Sequence, residues 1–115
     1  FENEYASYSS TEFCVGVGNG LDALILSLRA LGIGPGDEVI VPDITWVATA
    51  SAVAYVGAKP LFADVDPLTW NINVKTIQKV LTKKTKAIIP VHLYGFGAPM
   101  LEIISFANSN KSITE

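Results

Sequence analysis

A glycine-rich loop at residues 18–20, Gly-Asn-Gly, has the composition of an anion-binding turn. It lies between an apolar run of strand length and a helical pattern, so free N–H groups at the helix start would face the end of the strand. Glycines let the backbone approach a phosphate closely, and the helix dipole favours the negative charge. No Gly-Lys-Ser/Thr follows, so the loop is not a P-loop. The loop alone fits a phosphate site and a plain strand-to-helix turn equally well.

Three aromatic or imidazole side chains also follow predicted strands. Trp46 is placed to stack on a flat ligand, although an isolated tryptophan is more often a core residue. His92 and Tyr94 lie in the sequence Val-His-Leu-Tyr-Gly at residues 91–95. A lone histidine is more often a hydrogen-bonded structural group than a catalyst, so both interpretations of His92 stay open.

The remaining charged and sulfur-containing residues have simpler interpretations. Asp64 and Asp66 could suggest a metal site, but beside Pro67 they are more typical of a turn. Five of the eight basic residues fall between residues 75 and 86 at helical spacing, which indicates a solvated helix face. Cys14 is the one cysteine and no Cys/His cluster has zinc-ligand spacing, so neither an internal disulfide nor a metal site is expected. A reduced, cytoplasmic setting is favoured.

The elements that must position these residues alternate between strand and helix. Their apolar strands are continuous rather than alternating, which predicts a parallel sheet covered by helices on both faces. We therefore predict an α/β three-layer sandwich over residues 1–115 with no internal domain boundary. Ligands bind such sheets beyond the carboxyl ends of the strands. Strands are predicted at residues 13–17, 38–41, 61–63 and 87–91, with another starting at 112–115, and helices at 1–8, 21–31, 45–56, from a cap at Asn73, and at 99–108.

Composition excludes several classes of protein. Half of the residues are hydrophobic and 17% are charged, against about 25% charged in typical domains, so a disordered chain is excluded. A net charge of −3 argues against a sequence-blind nucleic-acid partner. The longest charge-free stretch, residues 44–58, is shorter than the roughly 20 apolar residues that a membrane span needs. The mean hydropathy of +0.38 and the nearly all-apolar helix from Leu21 predict that the chain buries surface against a partner.

Four segments of the sequence form an ordered set of motifs. They are Gly-Asn-Gly-Leu-Asp-Ala-Leu at 18–24, Gly-Pro-Gly-Asp-Glu-Val-Ile-Val-Pro at 34–42, Gly-Ala-Lys-Pro at 57–60 and Lys-Thr-Lys-Ala-Ile-Ile-Pro-Val-His-Leu-Tyr-Gly at 84–95. Together they resemble the DegT/DnrJ/EryC1/StrS family of sugar aminotransferases. They appear in the family's order and cover nearly the whole chain. The form Asn-Gly-Leu-Asp-Ala-Leu is similar to members that aminate nucleotide-linked 3-keto-6-deoxyhexoses.

The resemblance implies a pyridoxal 5′-phosphate (PLP) enzyme and the N-terminal part of an aspartate-aminotransferase-like large domain. Gly20 and Leu21 would offer backbone N–H groups to the cofactor phosphate, and Asp22 would open the same helix. Relatives more often carry Thr or Ser at Leu21, so here the side-chain hydroxyl is missing. Trp46 matches the aromatic residue that stacks on the pyridine ring. His92 and Tyr94 match a motif near the substrate mouth.

The resemblance also implies binding partners, and it indicates which catalytic residues of the family this sequence lacks. The expected partners are a nucleotide-linked keto sugar, an amino-acid donor such as glutamate, and a second copy in a homodimer. No catalytic residue is expected in this chain, because the family's Schiff-base lysine and the aspartate that pairs with the pyridine nitrogen come later in the fold. The alternatives are a non-catalytic homologue that binds PLP or a sugar nucleotide, and a shortened gene product with a structural or interaction role.

Overall fold

The computed structural model describes residues 1–110 and residue 113, and it contains a three-stranded parallel sheet between two layers of helices. No helix of this described part is long and apolar enough to cross a membrane. The elements in chain order are α1 (Glu2–Ser9), α2 (Gly20–Ala30), β1 (Glu38–Pro42), α3 (Ala48–Tyr55), β2 (Lys59–Ala63), α4 (Val74–Val80), β3 (Thr85–Ile88), a 3₁₀ turn (Leu93–Gly95) and α5 (Met100–Ser109).

Strand β1 is the centre of the sheet, which has the order β2-β1-β3. Ile40 is in register with Leu61 on one side and with Ile88 on the other. All five residues of β1 are buried, as expected for a strand covered on both faces. The three strands therefore end along one edge, and the loops that follow them lie at that edge.

The two faces of β1 belong to two separate apolar clusters. Val39 and Val41 pack with residues of α2 and α3, including Leu28 and Val53. Ile40 points to the opposite face, where residues of α4 and α5 complete the second cluster. The alternation follows from the two-residue period of a strand. The prediction of an α/β three-layer sandwich around a parallel sheet is confirmed.

Several helix boundaries agree with the sequence signals. Asn73 caps α4, because its Oδ1 accepts a hydrogen bond from Thr76 N–H at 3.1 Å and Thr76 Oγ1 accepts one from Asn73 N–H at 3.1 Å. Gly32 has φ +72° just after α2, in the left-handed region that glycine adopts without strain. Pro99 stands immediately before α5.

The predicted strand at residues 13–17 is wrong. This segment is irregular and belongs to no sheet, so the described chain has three strands where the sequence predicts four βα units. Its backbone is held by Thr11 Oγ1, which donates to Phe13 O at 3.1 Å, and by Gly16 N–H, which donates to Glu2 Oε1 at 2.6 Å. β-Favouring residues form a strand only beside a partner strand, and none lies next to this segment within the described residues.

Other boundaries need smaller corrections. Thr45 does not cap α3: the helix begins at Ala48 after Val47, and the Thr45 hydroxyl is instead hydrogen-bonded to that of Thr49 at 3.1 Å. β3 covers Thr85–Ile88 rather than residues 87–91, although Ile89 N–H still donates to Ile40 O at 2.8 Å. The strand predicted at residues 112–115 lies outside the described residues.

Candidate functional site

An open cleft of about 550 Å³ lies beyond the carboxyl end of β1, between the starts of α2 and α3. It brings together Gly20, Leu21 and Trp46, three of the residues singled out in the sequence. Its remaining walls combine apolar side chains with four residues that carry polar groups, namely Asn19, Thr49, Ser51 and Tyr55. The lining residues are Asn19, Gly20, Leu21, Leu24, Trp46, Val47, Ala48, Thr49, Ser51 and Tyr55.

The start of α2 presents free donors to this cleft. Asn19 is the N-cap residue, and its Oδ1 accepts from Asp22 N–H at 3.0 Å. Gly20 N–H and Leu21 N–H have no acceptor within residues 1–110. A Cβ built on Gly20 would meet nothing within 4 Å, so the space beside these donors is open. Two N–H groups at a helix start are well suited to bind a phosphate oxygen.

Asp22 lies on the same helix turn but does not line the cleft. Its carboxylate accepts from Asn19 Nδ2 at 3.0 Å and lines a different cavity together with Gly18 and Arg29. A Cβ on Gly18 would come within 2.8 Å of Asp22 Oδ2, so this glycine is needed for the carboxylate to take that position. The hydrogen bond to Asn19 holds the negative charge of Asp22 outside the Trp46 cleft.

Trp46 follows β1 and is 78% exposed, so it is not part of the core that the described residues form. Its ring forms part of the cleft wall, near the donors of Gly20 and Leu21. An exposed indole in an open cleft is available for stacking on a flat ring. The loop between β1 and α3 positions it, because Thr45 is anchored by the hydroxyl of Thr49 at the start of α3.

His92 and Tyr94 lie in a separate place, in the loop that follows β3. His92 Nδ1 accepts from Ala98 N–H at 3.0 Å, so the imidazole carries its proton on Nε2 when neutral. Tyr94 lines a small cavity of about 290 Å³ with Trp70 and Phe96, among others. Neither His92 nor Tyr94 lines the Trp46 cleft.

Asn71 is a buried polar residue beside the His92–Tyr94 loop that the sequence reasoning missed. It is 1% exposed, its Nδ2 donates to Phe96 O at 2.9 Å, and its Oδ1 accepts from Leu93 N–H at 3.2 Å. These bonds connect residues that are 22 and 25 positions apart in the chain. No local sequence signal identifies such a contact. The place to look for one is a polar residue beside an apolar residue, as Asn71 is beside Ile72.

A further cavity of about 610 Å³ lies along the same sheet edge, beyond β1 and β2. Asp43, Asp64, Trp70, Lys75 and Lys79 are among its lining residues, and Lys79 Nζ is 3.9 Å from Asp64 Oδ2. The two lysines are exposed, as predicted, but their helix face borders this cavity.

The turn that follows β2 explains Asp66, one of the two aspartates that could suggest a metal site. Asp66 Oδ1 accepts from Leu68 N–H at 3.0 Å and from Thr69 N–H at 3.1 Å. These bonds make Asp66 a turn former, as its position before Pro67 predicts.

The donor set of the Trp46 cleft fits PLP. Free N–H groups at a helix start suit the cofactor phosphate, and the exposed indole suits its flat pyridine ring. Within the described part of the chain, no lysine and no aspartate line the cleft. The cleft therefore offers binding groups for PLP but no amine that could bond to its aldehyde.

The family model of the DegT/DnrJ/EryC1/StrS aminotransferase family matches residues 1–113. The chain belongs to this family. Two curated relatives illustrate the similarity. UDP-N-acetyl-3-dehydro-α-D-glucosamine 3-aminotransferase of Acidithiobacillus ferrooxidans is 52% identical over 95% of this chain, and a "pleiotropic regulatory protein" of Geobacillus stearothermophilus is 50% identical over 92%. The chain spans 30% and 28% of the lengths of these two relatives.

Solved structures of the family superpose closely on the chain. Streptomyces venezuelae DesV in complex with a ketimine intermediate matches with a TM-score of 0.94 and 42% identity over 97% of this chain and 30% of its own. Bacillus subtilis NtdA with the bound cofactor PMP matches with a TM-score of 0.92 and 38% identity over 96% of this chain and 25% of its own. The Streptococcus pneumoniae protein Spr1654 matches in its PLP form and in its PMP form, each with a TM-score of 0.92 and 34% identity over 98% of this chain and 29% of its own.

Proposed function

We propose that these residues are the phosphate-binding and ring-stacking part of a PLP-dependent aminotransferase. The enzyme transfers an amino group from an amino acid, glutamate in our proposal, to a nucleotide-linked keto deoxysugar. The observation that carries this proposal is the cleft in which the free donors of Gly20 and Leu21 lie near the exposed ring of Trp46. Relatives named for amino-sugar synthesis and cofactor-containing neighbours support it.

Each residue of the cleft has a distinct role in this proposal. The N–H groups of Gly20 and Leu21 bind the cofactor phosphate with help from the dipole of α2. Asp22, held by Asn19, opens the helix and keeps its charge away from the phosphate. Trp46 packs against the pyridine ring and fixes its plane. When bound, PLP supplies the electron sink on which amino transfer depends.

The reactive groups come from outside these 115 residues in our proposal. The Schiff-base lysine and the aspartate that pairs with the pyridine nitrogen are supplied by another part of the full polypeptide. His92 and Tyr94 lie on the substrate side, where the Nε2–H of His92 is free to donate to a sugar or phosphate oxygen. The protein is a cytoplasmic homodimer in deoxyamino-sugar, polysaccharide or lipopolysaccharide biosynthesis.

A second candidate function is regulatory. The relative from Geobacillus stearothermophilus is named a pleiotropic regulatory protein, and a homologue that binds PLP or a sugar nucleotide without turnover would keep the same cleft. A shortened product with a structural or interaction role is the third alternative. The part of the reading frame that follows residue 115 separates them: a glutamate-aspartate pair and then a serine-containing lysine loop support the enzyme.

The proposal is tested on the full polypeptide that contains this sequence. PLP is added and the absorbance of the lysine-bound cofactor is recorded, and glutamate is then added without any sugar. Conversion of bound PLP to the amine form supports an aminotransferase. Binding of PLP without conversion by any common amino acid supports the regulatory alternative. Absence of a cofactor band contradicts both PLP-dependent functions.

A further inference from the structure

We infer that Asn71 is a positioning residue that holds the loop of residues 92–98 in place for substrate binding, an inference that rests on the proposed function. The loop follows β3 at the carboxyl edge of the sheet. The ligand we assign to it is the heterocyclic base of a nucleotide-linked sugar, held against the rings of Trp70, Tyr94 and Phe96.

Three hydrogen bonds hold the loop of residues 92–98 in its conformation. Asn71 binds both ends of the 3₁₀ turn, by accepting from Leu93 N–H and donating to Phe96 O. A third bond, from Ala98 N–H to His92 Nδ1 at 3.0 Å, closes the same loop from within. Because Asn71 is buried, removing its amide leaves a backbone donor and a backbone acceptor of the loop without their partner.

These bonds impose a left-handed backbone conformation on Tyr94. Tyr94 has φ +52°, in the left-handed region that costs a residue with a Cβ free energy, while its side chain is 94% exposed. Burial of the ring therefore contributes almost no stability that would offset the cost of the strained backbone. Strained residues of this kind are retained where the presented side chain has a function. The loop holds the phenol ring of Tyr94 out toward solvent.

The cavity beside Trp70, Tyr94 and Phe96 has a volume and a lining that indicate its ligand. Its volume of about 290 Å³ is lined by three aromatic rings and by Leu68, Thr69 and Leu93, with no charged side chain. This volume accommodates a single nucleobase. A neutral, aromatic-lined space suits a nucleobase, because each base has a flat face that stacks on aromatic side chains. Trp70 also lines the adjoining 610 Å³ cavity, into which the rest of an elongated ligand would extend.

The test uses the full polypeptide and three probes without a sugar, namely UDP, dTDP and GDP. Dissociation constants are measured by calorimetry for the wild type, Asn71→Ser and Tyr94→Asn. We expect at least one probe to bind the wild type and both variants to weaken it about tenfold or more. Asn71→Ser lowers Tm, whereas Tyr94→Asn leaves Tm unchanged or raises it, because asparagine tolerates the left-handed conformation.

Thr85→Ala is the matched control. Thr85 is buried and its hydroxyl accepts from Thr82 N–H at 3.0 Å, but it lies at the amino end of β3. This variant lowers Tm without changing the affinity for the probes. If Asn71→Ser behaves in the same way, or if no probe binds the wild type, the inference is wrong. Conversion of PLP by glutamate tests the proposed function separately, since that reaction needs no nucleotide.

Discussion

Asn19 and Asp22 are joined by two hydrogen bonds of 3.0 Å, one from Asp22 N–H to Asn19 Oδ1 and one from Asn19 Nδ2 to Asp22 Oδ2. The pair satisfies one of the open donors at the start of α2 and directs the Asp22 carboxylate away from the Trp46 cleft. The two donors that precede Asp22 in the helix, Gly20 N–H and Leu21 N–H, are left for a ligand. One short polar contact thus prepares the helix start for an anion.

Replacement of Asn19 by alanine tests this arrangement. Loss of the cap should lower the free energy of unfolding by about 1 kcal/mol. It should also weaken PLP binding, because Asp22 loses its partner and its charge is free to move toward the phosphate. Urea unfolding and a PLP titration measure the two effects. Asn19→Ser separates the two effects, since serine also caps helices but has no amide donor for Asp22: it should keep most of the stability and still weaken PLP binding. Wild-type PLP affinity in Asn19→Ser would contradict the role of the amide.

The side chain at position 21 offers a second test. Leu21→Thr adds a hydroxyl beside the two free N–H groups, where the family resemblance implies one. We expect PLP to bind about tenfold more tightly than it does to Leu21→Val, which has the same shape without the hydroxyl. Both variants lose part of the packing of Leu21 against the apolar cluster beneath α2, so their comparison isolates the hydrogen bond. Equal affinities would place the phosphate elsewhere.

Trp46 should matter for binding and not for stability. Its ring is largely exposed, so Trp46→Ala should change the free energy of unfolding by less than about 0.5 kcal/mol. The affinity for PLP should fall, whereas Trp46→Phe should keep most of it because a flat ring remains. Leu101→Ala removes an exposed apolar side chain on α5 and serves as the control. Unchanged PLP affinity in Trp46→Ala would exclude the stacking role.

The sheet could be predicted from the sequence because its signals are local. The central strand β1 is a continuous apolar run that ends at Pro42, and the caps at Asn19 and Asn73 are short-range hydrogen bonds. The segment at residues 13–17 has the same kind of composition but forms no strand, because strand formation also needs a neighbour. Asn71 escaped detection for a related reason: its partners are distant in sequence and are backbone groups, which carry no residue-type signal.

The same comparison applies to the candidate site. The family resemblance implies that the Gly-Asn-Gly loop and Trp46 contact one cofactor, and these residues line one cleft. Tyr94 lies at another cavity, and His92 lines neither of the two. The order of strands across the sheet decides such distances, and a single sequence does not contain that order.

The irregular segment at residues 13–17 predicts self-association of the isolated chain. Phe13 and Val15 are 76% and 77% exposed on backbone that has no partner strand in the described structure. Exposed apolar side chains on unpaired extended backbone favour association. Val15→Lys should reduce light scattering at high concentration without lowering Tm. Ser105→Lys adds the same charge on α5 and should not; an equal reduction in both would indicate a general effect of charge.

The isolated 115-residue chain should show no transaminase activity, because no lysine of the described residues lines the Trp46 cleft. Lys59 Nζ is 3.7 Å from Glu38 Oε1 at the amino ends of β1 and β2, the edge opposite the cleft. Lys84 and Lys86 lie at the start of β3, and Lys83 just precedes them. Lys75 and Lys79 lie on the correct edge but border the separate 610 Å³ cavity. Lys111 lies outside the described residues.

Borohydride reduction of the isolated chain in the presence of PLP, followed by peptide mass mapping, measures this directly. Reaction requires an amine within bonding distance of the cofactor aldehyde. We therefore expect only scattered labelling well below one PLP per chain, with Lys75 and Lys79 no more modified than Lys59. Inorganic phosphate in excess should not change the pattern. A stoichiometric adduct at one lysine, protected by phosphate, would contradict the prediction, because it would mean that the cleft holds PLP beside its own amine.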